Sequence, residues 1–126
     1  MAIIGHGIDA VEVARIAAML DRHPERFARR VFTEAERAYA ESGKRRTEHY
    51  AARFAAKEAI LKCLGTGWSR GVAWTDAEVT REASGRPGVR LHGVAARLAD
   101  EMGIRRWSLS LTHTETVAFA SAIAEG

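Results

Sequence analysis

Residues 50–64, with the sequence YAARFAAKEAILKCL, predict a helix that is apolar on almost every face. At about 100° per residue, bulky apolar side chains cover one broad arc of this helix, and alanines line the rest. A helix that is apolar all round is normally buried. We therefore expect this segment to lie at the centre of the fold.

Two cations, Arg53 and Lys57, interrupt the bulky apolar arc of this helix. They stand four residues apart, a spacing at which like charges repel by about 0.2–0.5 kcal/mol even on an exposed helix. Because charged side chains are rarely buried unless they are paired, we expect the helix to point charges at a counter-ion or an anionic ligand. Glu58 and Lys62 allow a second interpretation, an ordinary i,i+4 pair with its charged ends in water. Spacing alone does not decide between the two.

The remaining patterns predict one α+β domain, residues 1–126, in which an antiparallel sheet packs against the long buried helix. A length of 126 residues suits a single compact domain. Apolar residues at helical spacing predict helices, and alternating apolar residues predict strands. The predicted helices cover residues 12–20, 33–41, 47–65 and 94–102, and the predicted strands cover residues 2–9, 74–82, 89–91, 107–111 and 117–123.

Composition narrows the class of protein. With 47% hydrophobic and 28% charged residues, the chain can bury a core and keep a solvated surface, which excludes disorder. We expect no membrane helix and no secretory leader, because the sequence has neither the ~20-residue apolar run nor the basic start that these need. The one cysteine, Cys63, excludes a disulfide framework, suits a reducing cytoplasm and is expected to be buried. Trp68, Trp74 and Trp107 are expected in the core rather than stacked on a base.

Glycines and carboxylates near the long helix predict a phosphate or metal site. Gly-Thr-Gly at residues 65–67 directly follows Lys62, and a backbone able to approach closely beside a lysine suits a phosphate, although glycine is also the ordinary helix cap. Asp9 and Glu58 offer the oxygen ligands that suit Mg²⁺ bound together with substrate phosphates. Asp9 could equally cap a helix. His113, in a predicted turn, either faces a ligand or is a plain turn histidine.

Motifs over most of the chain resemble those of one known family. They are GIDAVEVARI at residues 7–16, RVFT at 30–33 with Glu36, RFAAKEA at 53–59 with Lys62, GTG at 65–67, WTDAEV at 74–79, GRP at 85–87 and SLTHT at 110–114. In this order they resemble the holo-[acyl-carrier-protein] synthases, which are 4′-phosphopantetheinyl transferases. Ala10, Cys63 and Ala77 depart from the residues expected there, and none of the three touches the proposed chemistry.

The resemblance implies an activity and roles for three residues. The 4′-phosphopantetheine arm of coenzyme A would be transferred to a serine of apo acyl carrier protein in fatty acid biosynthesis, releasing adenosine 3′,5′-bisphosphate. Asp9 and Glu58 would hold Mg²⁺ against the diphosphate, and Lys62 would stabilise charge that develops during displacement. Glu58 would also help to deprotonate the serine, although the identity of the general base stays open.

The resemblance also implies binding residues for both substrates. The coenzyme A contacts would be Arg53, Lys62, Gly65, Gly67, Gly85, Arg86, Pro87, Thr112 and His113. Acidic carrier protein would dock on Arg15, Met19, Arg22, Arg26, Phe27 and Arg30, with Arg29 adding to the basic segment. The chain would act as a homotrimer with active sites between subunits, Asp9 coming from one chain and Glu58 from its neighbour or the reverse. Lys57 has a fixed position in the motif but no assigned partner.

Two other functions are compatible with parts of this sequence. A broader phosphopantetheinyl transferase for carrier domains of large synthases resembles two such units fused in a longer chain, so the length argues against it. A non-enzymatic basic module could bind nucleic acid through residues 22–30. That module leaves Asp9, Glu58 and the glycine loop unexplained, so we expect neither a nucleic-acid nor a membrane partner.

Overall fold

The computed structural model describes residues 2–67 and 69–126, so Trp68 and the expectation attached to it lie outside the described residues. The strands are β1 (Ile3–Glu12), β2 (Ala77–Arg81), β3 (Pro87–Leu91), β4 (Arg106–His113) and β5 (Val117–Glu125). They form an antiparallel sheet in the order β1-β5-β4 and a separate antiparallel hairpin of β2 and β3.

Helices pack around and between these strands. They are α1 (Val13–Arg22), α2 (Pro24–Val31), α3 (Glu34–Glu41), α4 (Arg46–Leu64) and α5 (Gly93–Glu101), with a short 3-10 helix at Trp74–Asp76. Within residues 2–67 and 69–126, no helix is long and apolar enough to cross a membrane.

The long helix α4 forms the centre of the core. Tyr50, Ile60 and Leu61 are at most 1% exposed, and the helix packs against β1 and β5 along its length. Cys63 is buried as expected, and burial raises the pKa of its thiol. The α+β class, with an antiparallel sheet packed on a buried helix, is confirmed.

The strand β1 lies directly on α4 because two of its residues are glycines. A Cβ on Gly7 would stand 1.9 Å from the carbonyl oxygen of Ala59, and a Cβ on Gly5 would stand 2.6 Å from the carbonyl oxygen of Cys63. Any residue other than glycine at these two positions would require the backbone of β1 to move away from α4. Since Asp9 follows Gly5 and Gly7 at strand period, it shares the face of β1 that turns toward the helix.

The first two helices differ from the prediction. Asp9 lies inside β1 and caps nothing, since α1 begins after Glu12. The sequence predicts no helix over 24–31, yet α2 covers this range with Pro24 in its first turn. Proline ends one helix and begins the next because its fixed φ suits the first helical turn, where its missing N–H is not needed.

Two further boundaries shift, and one cap is confirmed. Thr47 lies in the first turn of α4 rather than capping it, because that helix begins one residue earlier. Trp74–Asp76 form a 3-10 turn rather than the start of a strand, and the ring of Trp74 stacks on Phe54 at 5.0 Å between centroids. The capping box of Thr33 and Glu36 at the start of α3 is present as predicted.

Candidate active site

The structure brings Asp9 to the C-terminal part of α4. The ammonium of Lys62 donates to the carbonyl oxygen of Ile8 at 2.7 Å and lies 3.4 Å from Asp9 Oδ1. Glu58 is half-buried and lies one turn before Lys62 on the same side of the helix. We call Asp9, Glu58 and Lys62 the carboxylate–lysine cluster.

This cluster is built by a single chain, which corrects one expectation. The resemblance implied that Asp9 and Glu58 come from different subunits. In the structure, β1 lies along α4 of its own chain, and Asp9 contacts a lysine that follows Glu58 by one helical turn. The close approach at Gly5 and Gly7 makes this arrangement a property of the fold.

The donor set of the cluster fits the magnesium ion that the resemblance implies. Mg²⁺ usually keeps several waters and binds through one or two carboxylates plus substrate phosphates. Among residues 2–67 and 69–126, no group of three or more histidine, cysteine or acidic side chains could form a complete protein cage for a metal. Asp9 and Glu58 supply two carboxylates of the kind that such an ion uses beside substrate phosphates and water.

The glycine loop at residues 65–67 ends α4, and its two glycines are exposed to solvent. Gly65 and Gly67 have φ of 76° and 57°, in the left-handed region that favours glycine. A Cβ on either would meet no atom within 4 Å. Glycine is therefore favoured at these two positions by the backbone conformation and not by a lack of space. The loop is exposed and begins three residues after Lys62.

A cleft of about 630 Å³ contains most of the other predicted coenzyme A contacts. Its size is within the range of small-molecule sites. It lies between α4, the β2–β3 hairpin and β4. The predicted residues that line it are Arg53, Gly85, Arg86, Pro87 and His113.

Thr112 does not join these residues. It is exposed on β4, where it pairs with Phe119 of β5 on the opposite face of the sheet from His113. Neighbouring strand residues point to opposite faces, so a motif that reads Thr-His cannot send both side chains into one cleft.

Among the cleft residues that the sequence did not predict are Tyr39, His49 and Arg81. The Tyr39 ring lies 4.1 Å from the Arg53 guanidinium carbon and 4.7 Å from that of Arg81, which also donates to the Tyr39 hydroxyl. His49 stacks on the same ring at 5.0 Å between centroids. His49 stands one turn before Arg53 on α4, which was the available signal, whereas nothing local linked Tyr39 and Arg81 to the site.

The electrostatics of the cleft favour an anion. Among the described residues that line it are Arg53, Arg81 and Arg86, and none of those described residues is acidic. Burial, together with the charge of Arg53, lowers the pKa of His49, so this imidazole stays neutral near pH 7. Burial likewise lowers the pKa of Arg53, whose charge the electron-rich face of Tyr39 helps to hold.

The cleft and the carboxylate–lysine cluster lie on different sides of α4. Arg53 and Lys62 are nine positions apart, which places them about 180° apart around a helix. The cluster lies beside β1 and the cleft beside β4, and these strands are the two edges of the sheet. One chain therefore presents the two halves of the predicted site in different directions.

Lys57 does not face a ligand. Its ammonium is fully buried 2.8 Å from Glu36 Oε1 and donates to the carbonyl oxygens of Ala77 (2.8 Å) and Trp74 (3.1 Å). Of the two interrupting cations, Lys57 has an internal counter-ion and Arg53 lines a cleft.

The basic segment is exposed, with one exception. The exposed cations are Arg15, Arg22, Arg26, Arg29 and Arg30 of α1 and α2, and Met19 is half-buried beside them. Phe27, predicted as a docking anchor, is buried and packs edge-on against Phe32 at 5.9 Å. Its ring belongs to the core because it faces inward from the amphipathic α2.

Comparison with known proteins identifies the family of this chain. The family model of the 4′-phosphopantetheinyl transferase superfamily matches residues 5–120. The holo-[acyl-carrier-protein] synthase of Koribacter versatilis is 51% identical over 98% of both chains. The Neisseria meningitidis synthase structure is 31% identical over 99% of this chain and 100% of that one, with a TM-score of 0.90. A Bacillus anthracis synthase, solved in complex with CoA (3′,5′-ADP), is 36% identical over 98% and 97%, with a TM-score of 0.80. The chain therefore belongs to the 4′-phosphopantetheinyl transferase superfamily and, within it, to the holo-[acyl-carrier-protein] synthases.

Proposed function

We infer that this chain transfers the 4′-phosphopantetheine arm of coenzyme A to a serine of apo acyl carrier protein, a step of fatty acid biosynthesis. The observation that carries this function is the pairing of an acid-free, arginine-lined cleft with a separate carboxylate–lysine cluster. The cleft suits the phosphates of a nucleotide, and the cluster suits displacement at a diphosphate. A reducing cytoplasm stays our expectation for the reaction, since Cys63 is a free, buried thiol.

The transfer is an in-line displacement at phosphorus. The serine oxygen attacks the phosphorus that carries the pantetheine arm, the bridging P–O bond breaks, and adenosine 3′,5′-bisphosphate leaves with the bond's electron pair. Glu58 accepts the serine proton, directly or through water. The ammonium of Lys62, whose side chain is 53% exposed, offsets negative charge on the leaving phosphate.

We propose that Asp9 and Glu58 hold Mg²⁺ together with the diphosphate of the substrate. Bound there, the ion would neutralise phosphate charge and make the phosphorus more electrophilic. Lys62, in contact with Asp9, keeps that carboxylate oriented toward α4. The carboxylates are then held ready before substrate arrives.

We further propose a homotrimer whose active sites lie between subunits. The outer face of the sheet exposes Ile8 and Phe119, at 60% and 42%, on adjacent strands. Covering this face with a second copy would bury apolar surface and bring the β4 edge of one chain toward the β1 edge of another. The cleft of one subunit would then meet the carboxylate–lysine cluster of its neighbour.

The carrier protein would dock on α1 and α2. Acyl carrier proteins are acidic, and the exposed arginines of these helices form a basic surface that starts three residues beyond the end of β1. Asp9 lies near that end of β1, so a carrier bound there is close to the cluster. The strand β1 therefore carries a residue of the cluster and leads directly into the proposed docking surface.

The mass of purified apo acyl carrier protein, after incubation with this protein, coenzyme A and Mg²⁺, tests the proposed function. A gain of one phosphopantetheine arm is expected, and EDTA is expected to abolish it. An unchanged mass with several apo carrier proteins would contradict the transfer. A gain that persists in EDTA would contradict the metal requirement alone.

A further inference from the structure

Glu36 and Lys57 form a fully buried ion pair between α3 and α4. Neither side chain has any exposed surface, and Lys57 Nζ lies 2.8 Å from Glu36 Oε1. Two backbone carbonyl oxygens, of Trp74 and Ala77, accept the remaining donors of the ammonium. All three hydrogens of the ammonium therefore have acceptors, which fixes its position in three directions.

The carboxylate of Glu36 is held as tightly as its partner. Its Oε1 accepts from the Thr33 backbone N–H at 2.8 Å, and its Oε2 accepts from the Val79 N–H at 2.7 Å. The Thr33 hydroxyl in turn donates to Glu78 Oε2 at 2.7 Å. This network joins the start of α3, the middle of α4 and the strand β2.

Stability does not explain why these two charges lie in the core. Desolvating two charges costs about as much as their attraction returns, and replacing such a pair by apolar residues is often neutral or stabilising. Burial accordingly lowers the pKa of Lys57, and Glu36 opposes that shift. A fully satisfied, directional network of this kind rigidifies the core, and here it restricts the rotation of α4 about its axis.

We propose that the Glu36–Lys57 pair positions Glu58. Both residues of the pair are needed to aim the carboxylate of Glu58 at the substrate. Glu58 directly follows Lys57 on α4, so any rotation of the helix about its axis moves the two together. A catalytic group displaced by about 1 Å can lose about 10²-fold in rate. The inference rests on the proposed function, and Lys57 is a positioning residue that contacts no substrate.

The test is a double variant, Glu36→Gln with Lys57→Met, which removes both charges without leaving either one buried alone. The matched control is Glu41→Gln with Arg46→Gln, which removes an exposed ion pair of 2.6 Å between the same two helices. Thermal unfolding, kcat, the KM for coenzyme A and the Kd for Mn²⁺ by electron paramagnetic resonance are measured for each. The double variant is expected to stay folded, lose about tenfold or more in kcat and in Mn²⁺ affinity, and keep its KM. The control is expected to match the wild type in kcat, in the KM for coenzyme A and in Mn²⁺ affinity, whereas its thermal stability does not serve as a comparison because Glu41 also accepts from the Tyr50 hydroxyl.

A folded double variant with wild-type kcat and Mn²⁺ affinity would overturn the proposal, because the pair would then serve the fold alone. If the double variant does not fold, Glu36→Asp decides in the same way, because it keeps both buried charges and shortens only the side chain that joins α3 to Lys57. Failure of the wild type to modify any carrier protein would refute the proposed function instead. The Mn²⁺ measurement distinguishes these cases because it needs no turnover.

Discussion

At the scale of single residues, Arg53 and Lys57 show what helical spacing predicts about a side chain and what it does not. Both interrupt the same apolar arc, and the sequence predicts for both a counter-ion or an anionic ligand. Lys57 is paired inside the core with Glu36, whereas Arg53 opens into the cleft against Tyr39. The partner of each cation comes from α3, so the sequence of α4 alone could not show which cation is paired in the core and which lines the cleft.

The glycine that brings β1 onto α4 gives a prediction about stability. In Gly7→Ala the new Cβ would stand 1.9 Å from the Ala59 carbonyl oxygen, so strand and helix must separate. We expect a loss of about 1–3 kcal/mol or more in the free energy of unfolding, measured by urea denaturation. Gly43→Ala, whose Cβ meets nothing within 4 Å, is the control. Equal stability of the two variants would contradict the close approach.

His49 gives a prediction about pH. Its pKa is lowered in the folded state by burial, by Arg53 and by His113, against a weaker opposing effect of Glu48. Below about pH 6.5 the unfolded chain binds a proton at this residue that the folded chain does not, so stability falls as the pH falls. We expect His49→Phe to lose less stability than wild type between about pH 7 and pH 5 in urea titrations. An equal or larger loss in the variant would contradict a half-buried, neutral imidazole.

At the scale of elements, the sequence predicted those helix boundaries that depend on interactions between residues close together in the chain. The capping box at Thr33, the stop at Gly65 and the apolar period of α4 all confirmed their expectations. The helix α2 was missed because its arginines dominate its composition, although its buried residues Phe27, Ala28 and Val31 lie at helical spacing. The arginines of its polar face mask a short amphipathic pattern, and proline at position 24 indicates the end of a helix as readily as the start of one.

The basic face of α1 and α2 gives a prediction about the carrier protein. Arg26→Glu reverses a charge on that surface, so the apparent KM for acyl carrier protein should rise far more than the KM for coenzyme A. Arg97→Glu makes the same charge change on the exposed side of α5 and serves as the control. The two KM values come from steady-state kinetics with either substrate varied. Similar increases in both, or the same effect from the control, would contradict a docking surface.

At the scale of the whole molecule, the site divides between the two edges of one sheet. The motifs identified five residues of the cleft and the three residues of the carboxylate–lysine cluster, and the structure assigns the two groups to opposite sides of α4. Motif membership does not give the direction of a side chain, which is why Thr112 lies on the exposed face of β4 outside the cleft and Phe27 lies in the core. Strand order, which only long-range pairing determines, was what the sequence could not supply.

The exposed outer face of the sheet gives a prediction about assembly. Phe119→Glu puts a charge on the apolar surface that would join subunits, so we expect sedimentation velocity to find monomers and transfer activity to fall with them. Far-ultraviolet circular dichroism should stay unchanged, since Phe119 is exposed in the single chain. Met102→Glu, at an exposed apolar residue beyond α5, is the control. A monomeric wild type would contradict the trimer.

The most direct test of the account is the rate at which adenosine 3′,5′-bisphosphate is released from coenzyme A in the presence of apo carrier protein. Glu58→Gln keeps the size of the side chain and removes the charge that the cluster needs. We predict that this variant stays folded and loses about 10²–10⁴-fold in rate, while Glu101→Gln on α5 behaves as wild type. A folded Glu58→Gln protein that releases product within a few-fold of the wild-type rate would contradict the role of the carboxylate–lysine cluster.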